Sequence, residues 1–101
     1  MLYYAILAED APGTLSERLA NRAAHLERLE ALQKAGRLLL AGPHPAVDGE
    51  DPGPAGFTGS LIVAEFGSLE EAREWADQDP YRRAGVYRRV TVKPFIKVLG
   101  P

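Results

Sequence analysis

The sequence predicts an α+β fold built on one antiparallel sheet, and three observations carry that prediction. Two stretches show helical apolar spacing, each opened by a capping-box pattern. Four apolar runs with strand character surround them. The resulting order, β-α-β-β-α-β, is that of two split β-α-β units, which form a four-stranded sheet with both helices on one face. Right-handed crossovers leave room for a strand inside each unit, so the expected strand order is 4-1-3-2.

Taken in order, Leu2–Ala8 is a strand-like run closed by Glu9, Asp10 and the turn formers Pro12 and Gly13. Thr14 opens Thr-Leu-Ser-Glu, with Glu17 in the reciprocal capping position. From there to Ala35, Leu15, Leu19, Leu26 and Leu29 fall on one helical face with Ala23 beside them, and Gly36 follows as the stop. Arg37–Ala41 is a second strand. Residues 42–57 are rich in Gly and Pro and read as a long loop, a feature that is often functional in compact domains. Thr58–Phe66 is nearly continuous in apolar content, as a central strand would be. Ser68 and Glu71 open a second helix with Leu69, Ala72, Trp75 and Ala76 toward the core; Pro80 ends it near Asp79. Val86–Leu99 is the last strand, and Pro94 within it argues for an edge or a bulge. The architecture is the ferredoxin-like sandwich.

A chain of 101 residues is long enough for one core, and a single domain over 1–101 is expected. A net charge of −2 gives no electrostatic footprint for nucleic acid or an anionic membrane surface. The absence of cysteine removes disulfides, thiolate metal sites and a cysteine nucleophile. The apolar N-terminal run has no basic segment before it and acids directly after, unlike a signal peptide, so a soluble, cytoplasmic molecule is expected.

Strand alternation separates Tyr3, Ala5 and Leu7 from Leu2, Tyr4, Ile6 and Ala8, and Tyr87, Phe95 and Leu99 from Val86, Val90, Val92 and Ile96. Neither set is a good solvent face. With helices covering only one side, a homodimer through the open sheet face is the expected cover.

Candidate chemistry lies along the first helix. On a helical wheel Arg22 falls inside the apolar arc, with Arg18 and His25 on the same flank, and their spacings of three and four make them neighbours. A cation at a core-facing position needs an anion or a route to water. Asp77 and Asp79 end the second helix, where the macrodipole disfavours negative charge, so a cationic partner is expected to favour them. Two helices lying side by side on the sheet allow Asp79 to reach His25.

These residues sit in segments that resemble the YciI-like, or YCII-related, proteins over almost the whole chain. The resemblance is carried by the N-terminal strand, Arg22-Ala-Ala-His25-Leu, Gly36-Arg-Leu-Leu-Leu-Ala-Gly-Pro43 and Pro45-Ala-Val-Asp48. It continues through Gly56-Phe-Thr-Gly-Ser60, Trp75-Ala-Asp-Gln-Asp-Pro-Tyr81, Ala84-Gly-Val-Tyr87 and Val92-Lys-Pro-Phe95. It implies the fold of the dimeric α/β-barrel superfamily, protomers joined through their sheets, and a histidine–aspartate pair falling on His25 and Asp79. It also implies a range of chemistry, from dehydrochlorination to muconolactone isomerisation and haem oxidation in more distant relatives.

The expected function is small-molecule proton transfer: Asp79 orients the His25 imidazole, whose other nitrogen acts as general base. Arg22 is expected to hold a substrate carboxylate, with Ser60 and the 42–57 loop lining the pocket, and no cofactor or metal is required. The alternatives are a non-catalytic small-molecule-binding or interaction domain with a structural His–Asp pair, and a haem site with a helical histidine as ligand. Asp48, Glu50 and Asp51 lack metal-ligand spacing, Arg82, Arg83, Arg88 and Arg89 read as solvated charge, and His44 as a loop histidine. Serine-hydrolase, phosphate-loop and dinucleotide motifs are absent.

Overall fold

Alternation along the first strand sets which way the sheet faces. In the computed structural model, which describes residues 2–101, β1 (Leu2–Asp10) buries Tyr4, Ile6 and Ala8. β1 pairs antiparallel with β3 (Phe57–Phe66) on one side and β4 (Tyr87–Phe95) on the other, and β2 (Leu38–Pro45) adds outside β3. The sheet order β2-β3-β1-β4 is the expected order read from the opposite edge. α1 (Leu15–Lys34) and α2 (Leu69–Asp77) lie on one face, and a single helical turn, α3 (Pro80–Arg83), precedes β4.

The core forms between that face and the helices. Tyr4, Ile6, Ile62, Ala64 and Phe66 of the sheet meet Leu29 and Leu32 of α1 and Ala72 and Ala76 of α2. The alanines present little bulk on the buried side of α2. A second cluster of Ala8, Tyr81, Val86 and Tyr87 continues it toward the end of the sheet. Among the described residues no helix is long and apolar enough to cross a membrane.

The helix ends divide between expectation and correction. Ser68 Oγ accepts from the Glu71 amide, which caps α2, while Glu71 Oε2 accepts from the amide of Gly67, one residue before the cap. Gly36 has φ +71° and ends α1, with its amide on Gln33 O and that of Arg37 on Leu32 O. Thr14, in contrast, makes no side-chain cap; its hydroxyl turns back to donate to Ala11 O at 2.7 Å. Leu19 is 60% exposed, because the buried stripe of α1 runs through Arg18, His25, Leu29 and Leu32.

Two strands depart from simple alternation. β2 extends through Gly42–Pro45, a stretch expected to be loop; it is an outer strand, where prolines cost no ladder bond on the free side. On β4, Glu9 pairs with Arg89 but Asp10 pairs with Tyr87, so Arg88 is an extra residue in a bulge. The bulge moves Tyr87 into the helix-side cluster rather than beside Phe95, where strict alternation puts it. β4 ends at Phe95, short of the expected Leu99, and Pro94 lies on this edge strand.

Candidate active site

Asp79 owes its position to local chain chemistry. It is the N-cap of α3, with extended backbone (φ −60°, ψ 132°), and Pro80 follows at the first helical position. Its Oδ1 accepts from the Tyr81 amide at 2.9 Å. The aspartate therefore starts a helical turn rather than ending one, and the helix-end electrostatics favour it, contrary to the sequence expectation. Asp77, the last residue of α2, is exposed and remains outside the dyad.

The same carboxylate faces α1. Both Asp79 oxygens lie 2.9 Å from His25 Nδ1, with Asp79 1% and His25 6% exposed. A carboxylate accepts, so Nδ1 carries the hydrogen, and in the neutral ring Nε2 keeps the lone pair. Tyr81 stacks on the imidazole at 4.0 Å between centroids and 16° between planes, and Tyr87 meets it edge-on at 6.5 Å. The ring is fixed by one hydrogen-bonded atom and two aromatic neighbours. Arg28 lies behind the pair, its Nη1 4.0 Å from Asp79 Oδ2 and its guanidinium over Trp75 at 4.2 Å. Burial pulls the Arg28 pKa below its usual value against the raising effect of Asp79.

The buried cation of α1 is Arg18 rather than Arg22. Arg18 Nε and Nη2 donate to the two Asp10 oxygens at 2.9 and 3.2 Å, and Nη2 also donates to Gly59 O and Ser60 Oγ. Its guanidinium lies 4.6 Å from the Tyr81 ring centroid. Burial pulls the Arg18 pKa down, but hydrogen bonding and charge from Asp10 outweigh it and the net direction is up. Arg22 is exposed, since the buried stripe, through Arg18, His25, Leu29 and Leu32, is rotated by a fraction of a turn from the face expected through Leu15, Leu19, Leu26 and Leu29. Ser60 Oγ, 2.9 Å from Arg18 Nη2, is also 2.8 Å from the Tyr87 hydroxyl.

A cavity of about 260 Å³ brings the expected residues together: Arg22, His25 and Ser60 line it with Arg18 and Tyr81. Its apolar side is Leu26, Leu29 and Ile62, closed by Ala41–Pro43 of β2. Asp79 stands behind His25 and does not line it. Of the expected 42–57 loop only Gly42 and Pro43 border this space; His44 and Pro54–Phe57 line a second cavity of about 740 Å³ that also touches Arg18 but not His25. The smaller space is of a size to take a small monocyclic molecule beside the imidazole. Burial raises the Tyr81 phenol above its ordinary pKa, despite the opposing charges of Arg18 and Arg22. Burial likewise raises Tyr87, in spite of its hydrogen bond to Ser60.

Asp10, Tyr81 and Tyr87 were not singled out by sequence reasoning. Arg18, seven residues before His25 on one helical face, carried a usable signal, because a buried guanidinium requires an anion such as Asp10. Tyr87 carried none, since the bulge that turns it inward has no marker in the strand pattern.

The chain is similar to known proteins over this whole arrangement. The profile of the YCII-related domain matches residues 1–96. Protein YciI of Escherichia coli O6:H1 is 60% identical over 97 residues, covering 96% of this chain and 99% of that one. An uncharacterised protein of Haemophilus influenzae is 58% identical over the same length and shares. Among solved structures, the 5-chloro-2-hydroxyhydroquinone dehydrochlorinase TftG of Burkholderia phenoliruptrix AC1100, in complex with 2,5-dihydroxybenzoquinone, is 31% identical, with a TM-score of 0.81 and 94% of each chain covered.

Proposed function

The chain belongs to the YCII-related family, and we propose that it is a small-molecule enzyme in which His25 and Asp79 transfer a proton to and from a carbon acid or its enol. The observation that carries this reading is the two-oxygen contact of Asp79 with His25 Nδ1, made by a ring that lines a cavity. Nε2 accepts a hydroxyl or C–H proton, and Asp79 stabilises the imidazolium. Tautomerisation follows when the proton returns to carbon. If that carbon bears a halide, Nε2 takes a second hydroxyl proton as the halide leaves with its bonding pair, and the net loss is one hydrogen halide. Arg22 neutralises a carboxylate or other anion at the rim, and Ser60 forms part of the wall.

Similarity to the dehydrochlorinase supports this chemistry and supplies the test. Chloride release from 5-chloro-2-hydroxyhydroquinone is expected from the unaltered protein and is expected to fall by about 10²–10⁴-fold in His25→Ala. Undiminished release by His25→Ala would remove His25 from the mechanism.

The assembly belongs to the same proposal. Tyr3, Leu7, Leu40, Leu61 and Phe95 fall on the sheet face away from the helices, with Leu7, Leu40 and Phe95 38–47% exposed. A second copy of the chain covers them. The lack of cysteine accords with a cytoplasmic setting.

A further inference from the structure

We propose that Ser60 is an oxyanion-binding donor, its hydroxyl hydrogen directed into the 260 Å³ cavity by Arg18 and Tyr87 acting as positioning residues; the inference rests on the reading of that cavity as the reaction site. A serine hydroxyl has one hydrogen and two acceptor lone pairs. Arg18 Nη2 lies 2.9 Å from Ser60 Oγ, and a guanidinium has no acceptor, so one lone pair is committed. The Tyr87 hydroxyl lies 2.8 Å from the same oxygen. Were Ser60 to donate to it, the phenol hydrogen would be stranded, because Tyr87 is 3% exposed and does not line the cavity. Leaving a buried donor unpaired is the costlier arrangement, so Tyr87 donates and the second lone pair is committed as well. The Ser60 hydrogen is then the one left over, and Ser60 lines the cavity with His25.

Polarity is thus imposed on a group that would otherwise turn either way. The Arg18 charge is compensated by the paired Asp10 carboxylate, the two side chains being 6% and 5% exposed, so Arg18 orders Ser60 rather than serving as counter-ion. Charge balance for a bound anion falls to Arg22 at the rim. The ligand class is therefore a small molecule bearing a phenolate, enolate or carboxylate oxygen that rests on Ser60 while His25 Nε2 works on a neighbouring proton.

4-Nitrophenol is a suitable probe, because its ionisation changes its colour and it binds without reacting; nitrobenzene is the neutral control. The protein is expected to bind nitrophenolate in preference to nitrobenzene. Ser60→Ala is expected to weaken nitrophenolate binding about tenfold or more while leaving nitrobenzene binding unchanged. Tyr87→Phe frees one lone pair of Ser60 and is expected to reduce the preference severalfold with the hydroxyl still present. Equal binding of both probes by the unaltered protein, or nitrophenolate binding by Ser60→Ala as tight as before, overturns the donor role. A full preference in Tyr87→Phe overturns the positioning role. The proton-transfer reading fails separately, through turnover by His25→Ala, and that result leaves the probe equilibrium standing.

Discussion

Asp79 serves two partners at once, which makes its substitutions informative. It orients His25 through Nδ1 and caps the turn that carries Tyr81. An asparagine keeps one carbonyl oxygen for the Tyr81 amide but can present its NH₂ to Nδ1, moving the ring hydrogen to Nε2 and removing the base. Asp79→Asn is expected to stay folded and to lose about 10²–10⁴-fold in turnover, read by chloride release beside a circular-dichroism melt. A melt that collapses as far as that of Asp79→Ala would mean the pair is chiefly structural. The buried tyrosines make a second prediction. Tyr81 and Tyr87 have raised pKa values in the folded protein, so the folded state holds their protons more tightly than the unfolded chain does. Their stabilising contribution is complete below about pH 10 and declines as pH rises through the raised folded values. The urea midpoint is expected to fall with increasing alkalinity, and to fall less steeply in Tyr87→Phe; parallel curves would contradict the assignment.

At the scale of elements, one glycine holds two strands together. A Cβ on Gly59 would stand 2.0 Å from Ala8 O, a backbone atom that cannot move without disturbing β1. Gly59 O also accepts from Arg18, and Ser60 follows it. Gly59→Ala is expected to cost about 1–3 kcal/mol, seen as a lowered urea midpoint with unchanged slope. An unchanged midpoint would show that the strand accommodates the methyl group. Elements with a distinct sequence signal were legible: the Ser68 cap, the Gly36 stop and the strand order all follow from local chemistry and handedness. Elements decided by tertiary pairing were not. Gly42–Pro45 has loop composition and is strand only because β3 offers it a partner. Asp79 reads as a helix end because its sequence cannot distinguish one long helix from a helix and a following turn. Arg18 and Arg22 differ by about one turn on the wheel, and only packing decides which is buried.

For the molecule as a whole, the open sheet face exposes Leu7, Leu40 and Phe95 on the side away from the helices. The proposed dimer predicts that Leu7→Lys, at the centre of that face on β1, gives a monomer by sedimentation while the helix-side core and the dyad persist. Retention of the dimer would shift attention to Ile96, Val98 and Leu99, which are 78–90% exposed beyond β4. The position of His25 was legible from its place beside the apolar stripe and from the family resemblance. Its stacking on Tyr81 needed the three-dimensional course of α3. The exposed ion pairs of Arg88 and Arg89 with Glu9, at 3.6 and 3.8 Å, add little to stability.

The bulge on β4 gives the chain a tolerance in length at one point. Arg88 is the residue that the ladder does not count, since Asp10 faces Tyr87 and Glu9 faces Arg89. Losing Arg88 would let the two strands pair without interruption and still leave Tyr87 pointing inward. Arg89 is the same residue type, so losing it leaves the same chain; losing Val90 would instead set an arginine opposite Ala8, on the face that packs against the helices. Variation in the length of this strand is therefore silent at the two adjacent arginines, which lie beside the tyrosine that orders Ser60.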